Sequence, residues 1–178
     1  MPTIRILDPA EGMKKFSYPG QIDKLSIADI KKFISDFKSG TLKAFLKSED
    51  IPDYTDKVMK SVVGLNFQDL VIMNENDVFI KFYAPWCGHC KEMAPAWIEL
   101  AEELRNVPGL LIADFDATAN EADGVEVEGF PTIKFYPKGE KSTPIDFEGD
   151  RNIDEFRKYL KEHSEAYKKY LSSKNEEL

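Results

Sequence analysis

Trp86-Cys87-Gly88-His89-Cys90 holds both cysteines of the chain, two residues apart, after the apolar run of residues 78–84 and before a helix-like stretch. Two thiols at that spacing suit redox chemistry. A thiol in the first turn of a helix meets unpaired backbone N–H groups and the positive end of the dipole, which favour the reactive thiolate. Cys87 is the candidate nucleophile. Cys90, one turn on, is within reach to attack a mixed disulfide formed on Cys87 and release whatever is bound there. Two other readings exist for the same residues. A structural zinc site wants four ligands, whereas the two cysteines and His89 supply three and no second Cys pair exists in the chain. A purely structural disulfide across two residues would close a loop too short to restrain the unfolded chain much.

The elements that must position these thiols come from 178 residues, enough for one domain with extensions or one and a half domains. A composition of 42% hydrophobic and 12% aromatic residues supports a packed core. The net charge of −8 argues against nucleic acid, because phosphate binding requires a basic surface. No stretch approaches the length of a membrane span, so no membrane partner is expected. The first residues lack the basic start and apolar centre of a secretory signal.

Along the first segment, residues 3–7 and 13–18 are strand candidates separated by the turn residues Asp8, Pro9 and Gly12. Ser26 with Asp29 forms a capping-box pattern ahead of the stripe Ile27, Ile30, Phe33, Ile34 and Phe37, which predicts a helix ending near Gly40. Two strands and one helix of this size bury little surface, so the segment calls for a partner. Residues 48–53 read as linker.

The second segment alternates strand and helix. Residues 62–65 predict a strand, Asn66 with Asp69 a short capped helix, and 78–84 a strand apolar enough to be central. A helix follows over 87–105, with Met93, Trp97, Leu100, Ala101 and Leu104 on one face and Pro95 inside it. Then come a strand at 110–115, a short helix at 120–125, and strands at 131–136 and 145–147. The last helix is capped by Asn152 with Glu155 and carries Ile153, Phe156, Tyr159, Leu160, His163 and Tyr167. The order βαβαβαββα predicts an α/β fold, a mixed central sheet with helices on both faces.

The stretches Phe82-Tyr83-Ala84-Pro85-Trp86-Cys87-Gly88-His89-Cys90-Lys91, Asp116-Ala117-Thr118-Ala119-Asn120 and Gly129-Phe130-Pro131-Thr132-Ile133-Lys134-Phe135 resemble the last catalytic thioredoxin-like domain of the protein disulfide isomerase family. The resemblance implies a thioredoxin fold over 58–165. It is joined through a linker at 48–57 to a partial thioredoxin-like segment at 1–47, and followed by a helical or flexible tail at 166–178. The opening segment is similar to the second half of the redox-inactive, substrate-binding domain that precedes the catalytic one in such enzymes, with Pro2 at its cis-proline position. On that reading the chain is a C-terminal portion of a longer enzyme or an unusual short gene product.

The implied activity is thiol–disulfide exchange and isomerisation on unfolded or partly folded proteins that contain cysteine. Cys87 and Cys90 are the catalytic pair, glutathione or an upstream thiol oxidase is the redox partner, and no metal or organic cofactor takes part. The alternative is a chaperone-like module that binds unfolded chains, with the redox step secondary. Further roles follow from the resemblance. Phe130-Pro131 is cis, against about 5–6% of X–Pro bonds in general, and with Trp86 it lines the substrate site. Gly88 and His89 tune the dithiol, a partly cationic imidazole favouring the Cys87 thiolate and making the pair a better oxidant.

Lys81 occupies the place where the family usually has a buried glutamate, and Asp114 the place of its lysine partner, so the pair is reversed. An ordinary lysine on a strand snorkels to solvent. A buried one needs a partner, which Asp114 supplies, and the two are expected to exchange protons with Cys90. Arg151 matches a mobile arginine that swings toward the second cysteine. The ending Asn175-Glu176-Glu177-Leu178 shares its last two residues with the Lys-Asp-Glu-Leu retention signal, and with the dithiol it points to the endoplasmic reticulum lumen.

Overall fold

The computed structural model describes residues 3–9, 14–55 and 57–176. Pro2, Gly12, Met13 and the last two residues of the retention-like ending lie outside them. The chain divides into two compact units, residues 1–46 and 47–178.

In the first unit, β1 (Arg5–Asp8) pairs antiparallel with β2 (Lys14–Ser17), Arg5 opposite Ser17 and Asp8 opposite Lys14. The capping box forms as the Ser26/Asp29 spacing predicts. The Asp29 N–H donates to Ser26 Oγ at 3.2 Å and the Ser26 N–H to Asp29 Oδ2 at 2.9 Å, opening α1 (Ile27–Lys38). The apolar stripe is only partly used. Phe33 and Phe37 meet Tyr18 and Phe16 edge-on at 5.6 and 5.1 Å, while Ile27, Ile30 and Ile34 stay exposed, because a two-stranded ribbon is too narrow to cover the whole stripe.

The second unit is built on a five-stranded sheet in the order β3-β5-β4-β6-β7. β3 (Lys60–Val62), β5 (Leu110–Asp116) and β4 (Asp77–Tyr83) run parallel; β6 (Thr132–Tyr136) and β7 (Ile145–Asp146) complete the sheet antiparallel. β4 is central, and its unbroken apolar run is what a strand covered on both faces requires. Val78, Ile80 and Phe82 pack under Phe67 and Val71 of α2 (Gly64–Phe67) and the π turn that extends it. Phe79, on the other face, lies against Trp97 of α3 (Gly88–Leu104) and Phe156 of α4 (Ile153–His163). The Trp97 indole N–H donates to the Ala113 carbonyl at 3.1 Å, tying α3 to β5.

Four expectations are corrected. Residues 64 and 65 are helical, not strand, since Gly64 opens α2. Asn66 is not the cap: it sits inside α2 and reaches back to accept the Val63 N–H at 2.8 Å. Residues 120–125 form turns instead of a helix. There Asn120 turns its amide to distant backbone and Gly124 takes a φ of 72°. The last helix stops at His163. Buried Asp77 accepts from Ser164 Oγ at 2.7 Å and from the Ala166 N–H at 3.3 Å, and this ends α4 and starts α5 (Glu165–Glu176), which carries Tyr167. The residues read as linker are hydrogen-bonded within this unit. The Glu49 N–H donates to Asn120 Oδ1 at 2.9 Å and the Leu65 N–H to Ser48 Oγ at 2.8 Å, while the Tyr54 hydroxyl donates to the Ser61 carbonyl at 2.7 Å.

Candidate active site

β4 ends at Tyr83, and the turn after it delivers Cys87 to the N-cap of α3, with extended backbone (φ −73°, ψ 120°). Its sulfur takes the place of the usual capping oxygen. The Cys90 N–H donates to Cys87 Sγ at 3.3 Å, so an orphan donor of the helix start points at the sulfur. The Cys87 thiol lies 3.5 Å from the Phe130 carbonyl, which accepts from it. Both cysteines are unbridged and buried, in a small cluster with Ala84, Tyr83 and Phe130. The positive end of the α3 dipole and a backbone N–H thus both face the Cys87 sulfur.

Phe130-Pro131 is a cis peptide. It brings the Phe130 ring edge-on to Trp86 at 5.9 Å, and Trp86 is 72% exposed directly before the nucleophile. An exposed indole beside a buried thiol is an apolar landing place next to the reacting atom. Gly88 faces open space, for a Cβ there would meet nothing within 4 Å, and His89 is exposed in the first turn of α3. Arg151 is exposed and lines a cleft of about 280 Å³ with Pro131, Thr132 and Phe147. Among the described residues it forms no ion pair.

Beneath the dithiol, sheet register places Ser61, Asp114 and Lys81 side by side on β3, β5 and β4. Lys81 is 6% and Asp114 7% exposed, with Nζ 3.9 Å from Oδ2. The ammonium also lies over the Tyr83 and Trp97 rings, 5.3 and 5.9 Å from their centroids. Asp114 Oδ1 is buried with no hydrogen-bond partner. Burial pushes the Lys81 ammonium down, against the pull of Asp114 and Cys90. Burial pushes the Asp114 carboxyl up, opposed by the Ser61 hydroxyl and Lys81. The Cys90 thiol is raised, first by burial and then by its bond to Cys87, with the Ala84 backbone and Lys81 acting the other way. Tyr83 is pushed up to about 12 by burial, with Asp114 adding to the shift, so it keeps its proton at neutral pH.

Sequence reasoning missed Asn120 and Gly64. Asn120 Oδ1 accepts from the N–H groups of Glu49 and Gly64, and its Nδ2 donates to Glu49 Oε2 and the Asp116 carbonyl. A Cβ on Gly64 would fall 2.7 Å from the Lys47 carbonyl and 2.8 Å from that of Glu121. The available signal was a buried-type Asn directly after the Asp116–Ala119 stretch.

Residues 58–162 match the thioredoxin family model. A chicken protein named protein disulfide-isomerase is 41% identical over 160 residues, 89% of this chain and 31% of that protein. Human protein disulfide-isomerase A4 is 42% identical over 177 residues, 97% of this chain and 26% of that one. The chain thus spans less than a third of the length of these relatives. In three dimensions it is similar to the first thioredoxin domain of mouse protein disulfide-isomerase A4, with a TM-score of 0.52 and 32% identity over 64% of this chain and 81% of that domain.

Proposed function

This chain belongs to the thioredoxin family, and on that premise we propose that it is a thiol–disulfide oxidoreductase and isomerase acting on the cysteines of unfolded or partly folded proteins. The observation that carries the proposal is Cys87 Sγ capping α3 with the Cys90 N–H at 3.3 Å, beside the cis Phe130-Pro131 peptide. The Cys87 thiolate attacks a substrate disulfide, forming a Cys87–substrate bond and expelling one substrate thiolate. Cys90 then gives up its proton and attacks Cys87 Sγ. The Cys87–Cys90 disulfide forms, the second substrate thiolate leaves, and the two electrons stay with the substrate. Run backward, the same steps place a disulfide in the substrate.

Lys81 and Asp114 take up and return the Cys90 proton. Their burial beneath Cys90, the unsatisfied Oδ1 and the opposed directions of their shifts support this role. Parental turnover of substrate disulfides by folded Lys81→Leu or Lys81→Met would refute it. Arg151, in the cleft beside Pro131, swings toward Cys90 when a thiolate is needed there, and a normal reoxidation rate in Arg151→Ala would rule that out. His89 and Gly88 tune the pair; His89→Pro makes it more reducing, which equal equilibria with glutathione for both forms would contradict. Glutathione or a thiol oxidase supplies oxidising equivalents, and the working place is an oxidising lumen such as the endoplasmic reticulum.

The direct experiment is recovery of activity by a protein carrying scrambled disulfides. The chain restores it and Cys87→Ser does not; equal recovery with Cys87→Ser would overturn the proposal. A second reading, a chaperone-like module for unfolded chains, is favoured by exposed Ile27, Ile30 and Ile34 along α1. Suppression of aggregation that persists in Cys87→Ser and is lost when the three isoleucines become polar would support it.

A further inference from the structure

Between the C-terminal end of α3 and the β3/β5 edge lies a cleft of about 210 Å³. Its floor includes Ala101, Leu104 and Ile112, and its rim carries Lys57, Lys60 and Arg105. We propose that this cleft docks an acidic segment of a partner polypeptide, taking carboxylates on the three cations and an aliphatic side chain on the floor.

Three cations border this one opening. The chain carries −8 overall, and on the same unit Lys134, Lys138, Arg157, Lys158 and Lys168 all sit in ion pairs. Among the described residues Lys57, Lys60 and Arg105 form none. Arg105, the residue closing α3, has a local explanation, since a cation there complements the negative end of the helix dipole. That leaves two lysines converging on the same opening without one. Lys60 is also positioned. Its Nζ rests 5.5 Å over the Tyr54 ring, and that ring is fixed by a hydroxyl that donates to the Ser61 carbonyl and accepts from Asn66 Nδ2 at 2.9 Å. Two carboxylates are electrostatically linked to Lys57: Asp53 is occupied by the N–H and hydroxyl of Thr55 at 2.9 and 2.6 Å, and Asp114 is buried beside Lys81.

The form of the cleft selects the ligand. It is smaller than the ~300–1,000 Å³ of sites that enclose a drug-sized molecule, so it fits an anchor side chain. Tyr54 already occupies the Ser61 carbonyl on the sheet edge, so side chains, and not strand addition at that carbonyl, carry the recognition. α3, at 17 residues, holds the cleft about 25 Å from the dithiol. Docking therefore leaves Cys87 open, and the proposal does not depend on the redox reading.

The test is fluorescence anisotropy of the full chain with a labelled peptide of about eight alternating Glu and Leu residues. Saturable binding is expected, weakening at least tenfold from low to physiological salt. It is expected to weaken at least tenfold in Lys57→Gln/Lys60→Gln/Arg105→Gln, which keeps its disulfide activity, and to be unchanged in Cys87→Ser. Equal affinity for the triple variant, or for a peptide with Gln in place of Glu, would overturn the proposal. So would complete displacement by inorganic phosphate at matched ionic strength, which would make the cleft a site for free anions.

Discussion

Replacing Lys81 by Met removes the cation opposite Asp114 and leaves a carboxylate that is 11% exposed at its side chain, with one oxygen already unsatisfied. At 3.9 Å two unit charges attract by about 4 kcal/mol at an effective dielectric near 20. Solvent screens little of this, but desolvation offsets much of it, and burial drives both groups toward their neutral forms. The expected results separate these effects. Lys81→Met alone loses about 3–5 kcal/mol at neutral pH, whereas Lys81→Met/Asp114→Leu, which removes both charges, stays near the parent. The sign of the pH dependence follows from Asp114. Its folded value is raised, so between 3.8 and that higher value the native state of Lys81→Met binds more protons than the unfolded chain. Stability therefore falls as pH rises through that window, by at most about 1.4 kcal/mol per unit, and the deficit of the single variant shrinks in acid. Urea unfolding followed by far-UV circular dichroism across a pH series measures the parent, both single variants and the double variant. Losses for Lys81→Met and Asp114→Leu that add within about 0.5 kcal/mol would show the two groups to be uncoupled and refute the reasoning.

Asn120→Ala leaves the Glu49 and Gly64 N–H groups without their acceptor, at a cost of about 1–3 kcal/mol each if they stay buried. Hydrogen exchange at those two amides should accelerate, and unchanged protection would show that Asn120 does not hold them. Because burial raises the Cys90 thiol, release of a preformed mixed disulfide should quicken with pH up to and beyond 9.0, in stopped-flow. A flat profile would mean that Cys90 deprotonation does not limit the step. Trp86→Ala should weaken capture of peptide substrates by about 1–2 kcal/mol while leaving the rate with glutathione disulfide unchanged; an equal loss with both would place Trp86 in the chemistry.

The dithiol, its helix and the central strand were legible because each rests on local signals: a capping position, a 3.6-residue stripe and an unbroken apolar run. Lys81 and Asp114 were legible as a pair through the resemblance, and their register is set by parallel pairing of β4 with β5. What escaped was long-range. Asn120 reads as the start of a short helix, yet its amide is used by Glu49 and Gly64, 71 and 56 residues away. Gly64 looks like a weak strand residue, but what it supplies is absence of a side chain where two carbonyls approach. The break after His163 was hidden for the same reason, since the group that makes it, Asp77, is 87 residues from Ser164.

The central claim is that Cys87 bonds covalently to substrate sulfur and Cys90 releases it. Cys90→Ala mixed with an unfolded, disulfide-containing protein is expected to form an adduct that survives non-reducing electrophoresis and maps to Cys87 by mass spectrometry. No adduct, or the same adduct formed by Cys87→Ala with Cys90 as the linked residue, would contradict it.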